Sequence, residues 1–520
     1  MNHAKEIINR KQKYKYLLIL DGTIVGVLSG AITILYRLAI DRAERYSEWI
    51  RNLASSGIGY VVLWFAILMA LSMIVNYLLK WEPMISGSGI PQVEAEISGY
   101  LKSNWLKTLS AKFAGGVLCL FAGLSLGREG PSIQMGAMSG KALSFKLHRN
   151  RSEEKYLMTC GASAGLAAAF NAPLAGIMFA LEEVHKNFSA YVLAPVMIAS
   201  IVADFLSKYI FGLDPVFHFT IENSIPLKYY WMIIIFGVLV GLLGVGYNKT
   251  LFWIKDRFAK VQNTKYRLIP VFLLAGVLGY FLPQVVGSGH DMINLVLDGN
   301  AALKWILLLL AAKFLFSIIS FSSGAPGGIF FPLLVIGAYV GAAYGHIMIA
   351  QFGIDPQYFV NFMIIAMAGY FAAIVRAPIT GIILITEMTG SFNHLLAIAT
   401  VAIVSYITAE LLRSTPVYEG LLDRIVSRVP GETTCMTDDK IIVQNIVEAN
   451  SPIANKRIYE IDWPEDVLLI SLKRGTKEIL PRGHVKIMEG DTLEALVMEE
   501  RLAKYHEFIR GICEADLSKG

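Results

Sequence analysis

The chain has 520 residues, of which 55% are hydrophobic and only 17% are charged. Because a typical soluble domain carries about 25% charged residues, this composition excludes one large soluble globule and favours a polytopic membrane protein. The four cysteines form no close pair and no CxxC motif, which excludes a disulfide-stapled secreted module, a zinc knuckle and a redox motif.

Charge separates the chain into two parts. Residues 416–520 contain 14 basic and 19 acidic residues, whereas residues 1–415 contain 32 basic and 22 acidic residues. Residues 1–415 have the composition of a membrane-embedded domain, and residues 416–520 have the composition of a soluble domain. There is no basic stripe with interleaved aromatic residues, so we predict no nucleic-acid partner.

The first 16 residues are basic, with five lysines and arginines against one acid. By the positive-inside rule we expect this N-terminal segment, residues 1–16, to be cytoplasmic. A cleaved signal peptide is not predicted, because no small-x-small site closes a short apolar core and Asp21 interrupts that core.

Apolar stretches of spanning length recur along the chain. They cover residues 17–39, 59–79, 156–181, 190–211, 229–254, 301–321, 360–387 and 395–412. Three further stretches are short or interrupted by glycine and proline: 113–126, 268–286 and 329–350. Broken segments lie at membrane depth only where their free backbone groups face protein, ions or water, which is typical of a transport site.

The membrane part contains an internal repeat, with halves at about residues 17–212 and 229–415. The segment Ala111-Lys112-Phe113 recurs as Ala312-Lys313-Phe314, and Gly127 and Pro131 recur 201 positions later as Gly328 and Pro332. Glu182 recurs as Glu387, 205 positions later. Since lysine, proline and glutamate keep register as well as glycine, chance is a poor explanation. The repeat predicts two halves around a central site, and the sequence leaves open whether they are inverted.

Glycine-rich turns lead into apolar stretches at Gly87–Pro91, Gly127–Pro131 and Gly324–Pro332. Proline is favoured in the first turn of a helix, and glycine lets the backbone approach a ligand closely. Free amides and the positive end of the helix dipole then favour a small anion. The alternative is that these glycines only permit tight helix packing.

Three acids lie in or beside apolar sequence: Glu129, Glu182 and Glu183. Acids at membrane depth are costly and are functional candidates. A carboxylate can occupy an anion site when ionised and leave it when protonated, which would couple protons to anions. Glu182 has the repeat counterpart Glu387, which favours a structural role at a helix end. Glu183 corresponds to Met388, and this asymmetry favours a special role for Glu183.

Four motifs in order identify a resemblance: GSGIP at 87–91, GREGP at 127–131, GGIFFP at 327–332 and TPVY at 415–418. Over about residues 15–430 the chain resembles the CLC chloride channels and proton/chloride exchangers. The resemblance implies an all-α polytopic membrane domain at residues 17–429, with two inverted repeats of broken and tilted helices. It also implies a homodimer in the cell membrane, in which each subunit has its own pathway.

The resemblance assigns roles to individual residues. Ser88, Tyr418 and the backbone amides of Ile329 and Phe330 would bind chloride. Glu129 would be the external gating glutamate, and Glu183 the internal proton glutamate. The supporting residues would be Arg128, Lys112, Gly127 and Gly328, with Lys112 supplying positive potential or, like Lys313, a structural contact. Chloride would be the transported ion, and no cofactor or metal is predicted.

Within the family, an acid at position 183 favours a coupled exchanger, because passive channels generally lack it. A passive chloride channel of the same fold remains the alternative. Ser88 resembles chloride-preferring members, and the GREGP motif and Tyr418 differ from the pattern of fluoride exporters. A potassium channel is excluded because there is no TVGYG filter. An enzyme is not predicted, because no nucleophile–base or metal constellation is present.

The end of the chain, residues 430–520, reads as a small cytoplasmic α+β domain. Short strands are predicted at 467–472, 478–480, 485–488 and 492–497, separated by glycine-containing turns. The segments 479–483 and 489–493 resemble the TrkA-C domain of regulators of potassium conductance. This domain class implies ligand-responsive regulation, and some members bind the nucleotide cyclic di-AMP. Alternatives are a dimer-stabilising appendage without a ligand, or a sensor for which the membrane part is only an anchor.

Overall fold

A computed structural model of the chain describes residues 2–54, 57–186, 190–217, 219, 223–297, 301–427, 440–464, 467–475, 477–498 and 502–513. The chain divides into two compact units. One unit comprises residues 1–94 and 103–423, and the other comprises residues 95–102 and 424–520. The predicted boundary between residues 429 and 430 lies outside the described residues.

Up to residue 427, the described part of the chain forms seventeen α-helices joined mostly by short turns. They are α1 (Asn2–Ala54), α2 (Ile58–Trp81), α3 (Ile90–Ile97), α4 (Trp105–Phe121), α5 (Glu129–Lys146), α6 (Arg151–Phe170), α7 (Pro173–Phe179), α8 (Ala190–Phe211), α9 (Tyr230–Ala259), α10 (Thr264–Phe281), α11 (His290–Leu297), α12 (Leu303–Ser322), α13 (Phe330–Phe352), α14 (Phe359–Val375), α15 (Pro378–Thr389), α16 (Leu395–Leu411) and α17 (Val417–Val426). By length and composition, seven of the described helical segments can cross a membrane.

Two stretches predicted as single spans, 156–181 and 360–387, are each divided into two helices. The chain breaks between α6 and α7 at Asn171, and between α14 and α15 at Arg376, each with a positive φ. Proline then starts both following helices, because its fixed φ suits a first turn while it cannot continue the preceding helix. The stretch 329–350, predicted to be interrupted, is instead the continuous 23-residue helix α13.

Glycines allow α5 and α6, and likewise α13 and α14, to pack with their backbones in contact. A Cβ atom on Gly136 would overlap the carbonyl of Gly161, and one on Gly341 would overlap the carbonyl of Phe362. Such contacts between small residues are typical of membrane helices. Packing therefore accounts for these two glycines, which lie outside the glycine-rich turns.

Reciprocal contacts relate the two halves. The Glu182 carboxylate accepts hydrogen bonds from the amides of Ile379 (3.3 Å) and Thr380 (2.8 Å) at the start of α15. The Glu387 carboxylate accepts equivalent bonds from Leu174 (3.1 Å) and Ala175 (2.8 Å) at the start of α7. Each acid follows the start of its own helix and binds the start of the other.

This reciprocity means that the segments containing α7 and α15 run antiparallel, as contacts across a two-fold axis do. An axis that relates antiparallel segments crossing a membrane lies in the membrane plane. The halves are therefore inverted repeats, which the sequence alone left open.

The second unit contains a four-stranded antiparallel sheet in the order β1-β4-β2-β3. Its strands and helix are β1 (Lys440–Ile446), β2 (Val467–Arg474), β3 (Lys477–Ile479), β4 (Thr492–Met498) and α18 (Leu502–Cys513). Leu472 and Leu493 from the sheet form an apolar core with Tyr505 and Ile509 from α18. This arrangement agrees with the predicted α+β class.

The predicted strands are corrected at two places in this unit. Residues 485–488 form only an isolated bridge, between Lys486 and Arg457. Their backbone bonds to the preceding turn instead, with Ile458 donating to Val485 and Ile487 donating to Lys456. Strand β1 was not predicted. The other three strands lie where the alternation and turns placed them.

An ion pair fixes the turn before β4. The Arg474 guanidinium donates two hydrogen bonds to the Asp491 carboxylate, at 2.9 and 2.8 Å, and one to the carbonyl of Lys486. The hydrogen bond to Asp491 raises the pKa of Arg474 above its ordinary value. Such bidentate pairing orients both groups, so the Glu489-Gly490-Asp491 turn is tied to the end of β2.

Candidate ion-binding site

The starts of α5 and α13 meet at a short backbone bridge. The amide of Gly127 donates to the carbonyl of Gly328 (2.6 Å), and the amide of Gly328 donates back to Gly127 (2.8 Å). Each glycine lies in the turn immediately before its helix. Because first-turn amides have no partner within their own helix, two positive helix ends are brought side by side, an arrangement that favours an anion.

The GSGIP loop joins the same place. The amide of Gly327 donates to the carbonyl of Gly87 (2.9 Å), and Ser88 is 1% exposed. Gly130 lies so close to Ser88 that a Cβ atom there would be 2.9 Å from both the Cβ atom and the carbonyl oxygen of Ser88. The Ser88 hydroxyl accepts from the amide of Ile90 at 3.4 Å, at the start of α3. Three helix starts therefore surround one small region.

Glu129 points into this region and not toward lipid. Its side chain is buried, and its carboxylate faces its own amide and the amide of Phe331. A methyl group on Gly127 would collide with this carboxylate and would lie 3.3 Å from the Phe331 nitrogen. Among the described residues, Oε2 of Glu129 has no hydrogen-bond partner. The acid thus lies against the amides of two helix starts.

Tyr418 is the second residue of α17, the last helix of the membrane part, and is fully buried. Its hydroxyl has no hydrogen-bond partner among the described residues, so it is free to donate to an anion. Its ring lies 6.3 Å from that of Phe179, which lies 5.8 Å from the ring of Phe330. The hydroxyl is close enough to both Glu129 and Glu183 to interact electrostatically. Tyr418 is therefore within electrostatic range of both acids.

Glu183 occupies a π-helical turn, Ala180–Val184, that continues α7. A π turn offsets side chains from the regular helical spacing and is frequent at functional sites. Consecutive residues of a helix point in different directions, and the neighbouring acids have different partners: Glu182 binds the start of α15, whereas Glu183 is buried near Lys186 and Glu94. The structure thus separates the structural acid from the candidate proton acceptor.

The supporting residues have distinct contacts. Arg128 pairs with Asp41 at 3.3 Å, and its Nε lies 4.0 Å from the Glu129 carboxylate. Lys112 donates to the carbonyls of Ile85 (2.9 Å) and Gly87 (2.6 Å).

Lys313 donates to the equivalent carbonyls, Val285 (3.0 Å) and Gly287 (2.8 Å). The shared geometry favours the structural interpretation of Lys112, which holds the GSGIP loop in place.

Sequence reasoning missed the polar partners of the site. Asp41 comes from α1, Glu94 from α3, and Lys186 from the end of the π-helical turn. No local pattern marks them, because each acquires its role from a contact with a residue distant in sequence. Among the described residues, no group of histidine, cysteine or acidic side chains could hold a metal ion.

The fold and this site define the class: a multi-pass membrane protein made of two inverted repeats whose helix starts converge on a buried acid. The chain belongs to the voltage gated chloride channel (CLC) family, whose sequence profile matches residues 67–410. A TrkA-C domain profile matches residues 442–510. The predicted family and fold class are confirmed.

Individual relatives agree with this assignment. The H(+)/Cl(-) exchange transporter ClcA of Vibrio parahaemolyticus is 36% identical over 426 residues, covering 79% of this chain and 90% of the relative. The ClcA transporter of Yersinia pseudotuberculosis is 32% identical, covering 82% and 91%. The solved structure of a slow cyanobacterial Cl⁻/H⁺ antiporter superimposes with a TM-score of 0.76 at 29% identity, covering 79% of this chain and 98% of that one.

Proposed function

We propose that this protein exchanges chloride for protons across the membrane. The observation that carries the proposal is the position of Glu129, whose carboxylate lies against helix-start amides in the buried region between the two halves. An ionised carboxylate and a chloride ion compete for the same amides. A protonated carboxyl no longer competes as an anion, so proton binding and chloride binding become alternatives at one place.

The remaining candidate residues form and support a pathway for chloride and protons. Ser88, Tyr418 and the amides of Ile329 and Phe330 bind the dehydrated anion through dipoles, without a full positive charge that would slow its release. Glu183 exchanges protons on the other side of Tyr418. Arg128 orients the start of α5 through its contact with Asp41, while Lys112 fixes the GSGIP loop.

The names of the relatives support exchange over passive conduction. Both relatives described above are called H(+)/Cl(-) exchange transporters, and the bacterial solved structure is called an antiporter. Glu183 adds an independent argument, since a buried acid at this position is costly and a passive anion pathway has no use for it.

The test uses the purified full chain in proteoliposomes, with potassium and valinomycin holding the membrane potential at zero. A chloride gradient is imposed, and external pH and chloride are recorded together. We expect chloride to drive protons uphill, and a protonophore to collapse this movement. Chloride movement without proton movement would instead identify a passive chloride channel.

The assembly, orientation and regulation belong to the same proposal. We infer a homodimer with a pathway in each subunit and with both termini cytoplasmic. The basic N-terminal segment supports this orientation, and it is tested by protease access in sealed vesicles. For the second unit we propose ligand-dependent regulation of flux, with cyclic di-AMP as the first probe. A chain ending at residue 429 should then lose any response to that nucleotide.

A further inference from the structure

Lys186 lies directly beyond the turn that carries Glu183, and its backbone adopts a left-handed conformation with φ of 51°. This conformation is uncommon for a residue other than glycine and indicates a constraint from the surroundings. The Lys186 ammonium lies 2.5 Å from Oε1 of Glu94, on α3. Glu94 is 3% exposed, while the lysine side chain is 46% exposed. A half-exposed cation therefore reaches a buried carboxylate.

Two buried carboxylates share this ammonium. Among the charged groups, Lys186 acts most strongly on Glu183, and Glu94 follows with the opposite sign. Oε2 of Glu94 has no hydrogen-bond partner among the described residues, so Lys186 is the cation that compensates this acid. The ion pair with Glu94 fixes where the ammonium lies, and this position sets how strongly the ammonium acts on Glu183.

The other titratable groups around the three residues come from the same turn and from two further helices. They are Glu182 and His185 in and after the π-helical turn, Lys155 on α6, and Tyr418, Glu419 and Asp423 on α17. These groups stay unchanged in the variants below. Different effects of the variants therefore arise from Lys186 and Glu94.

We propose that Lys186 is a positioning residue that sets how readily Glu183 releases its proton, and that Glu94 limits this effect by competing for the same ammonium. The inference rests on the proposed proton role of Glu183. A nearby positive charge favours an ionised carboxylate, and a nearby negative charge disfavours it. Lys186 thus promotes release of the proton from Glu183, and Glu94 promotes its retention.

Two substitutions break the same ion pair and yet have opposite expected effects. In Lys186→Gln, Glu183 keeps its proton to higher pH, so the pH profile of proton flux shifts in the alkaline direction by roughly one unit. In Glu94→Gln, Lys186 acts on Glu183 alone and a repelling charge is removed, so the profile shifts in the acidic direction. An ion pair that only anchors α3 would give shifts of one sign or none.

The experiment measures chloride-driven proton flux across a series of symmetric pH values, with chloride flux recorded in the same vesicles. Lys186→Arg keeps the charge and should retain the wild-type profile. The double variant Lys186→Gln with Glu94→Gln should lie between the two single variants. Lys208→Gln is a matched control, because Lys208 forms a comparable pair with Asp204 at 2.8 Å on α8. Its profile should not shift.

Opposite shifts with chloride flux retained support the proposal. Shifts of the same sign, or no shift in variants that still carry chloride, overturn it. If one single variant carries no chloride, Lys186→Arg and the remaining single variant decide. An unshifted Lys186→Arg profile with the expected shift in the remaining variant supports the proposal, whereas a shifted Lys186→Arg profile, or a remaining variant without the expected shift, overturns it. A wild-type chain that moves chloride without protons refutes the proposed exchange itself, which separates the two failures.

Discussion

The two halves of the membrane part share their scaffold and differ in their acids. Lys112 and Lys313 bind equivalent carbonyls, and Glu182 and Glu387 bind equivalent helix starts. At the site the correspondence ends, because the second half has Phe330 where the first has Glu129.

Likewise, the second half has Met388 where the first has Glu183. Residues kept by both halves hold the backbone, and residues present in one half carry the proposed proton chemistry. A buried acid is tolerated in both halves only where it has hydrogen-bond donors, as Glu182 and Glu387 have. The unmatched acids have other surroundings: Glu129 lies against the amides of two helix starts, and Glu183 lies near Lys186 and Glu94, which marks both for a different use.

The strongest test of this contrast is Glu129→Ala. Removing the carboxylate leaves the helix-start amides for chloride alone, so proton movement should fall to background while chloride flux persists. Simultaneous proton and chloride recording in proteoliposomes measures both. Normal uphill proton movement in this variant would show that the unmatched acid of α5 is not the coupling group.

Glu183→Gln should reduce proton movement by about tenfold or more, because an amide cannot relay a proton. The neighbouring Glu182→Gln is the matched control, since its carboxylate binds α15 and not the pathway. Proton flux at constant chloride flux is the measurement. An equal loss in both variants would contradict the different roles proposed for the two acids.

Glu182→Ala and Glu387→Ala should both destabilise the protein without changing the ratio of protons to chloride. Glu182 also accepts a hydrogen bond from the Thr380 hydroxyl (2.7 Å), whereas Glu387 has Ala175 at the equivalent position. We expect a loss of roughly 2–4 kcal/mol for Glu182→Ala, and about 1 kcal/mol less for Glu387→Ala. Thermal unfolding in detergent measures the difference, and a changed coupling ratio would argue against a purely structural role.

Lys112→Met and Lys313→Met should have the smallest effects on transport, and their effects on stability should be nearly equal. Each variant leaves two loop carbonyls without their donor, at a cost of about 1–3 kcal/mol. Chloride affinity, measured by calorimetry on the purified protein, should change little for either. A selective loss of affinity in Lys112→Met would restore the electrostatic role that the sequence left open.

Much of the fold and of the candidate site could be predicted from the local sequence. The repeat was visible because lysine, proline and glutamate kept register, and Glu183 stood out because Met388 is its counterpart. Two helix breaks were missed at Asn171 and Arg376, because the prediction followed the apolar composition across both, although Pro173 and Pro378 mark the following helix starts. The strand β1 was missed, and residues 485–488 were given a strand although their amides bond elsewhere.

The sequence by itself determined the membrane class, the repeat, the family and the helix-start turns, because hydropathy, glycine and proline act on the residues around them. The tertiary structure decided that the halves are inverted, that Lys112 binds the carbonyls of the GSGIP loop, and that Lys186 pairs with Glu94 beside Glu183. Those facts depend on which groups meet across long stretches of chain. The role of a charged side chain depends on its partner and on its burial, and the local sequence shows neither.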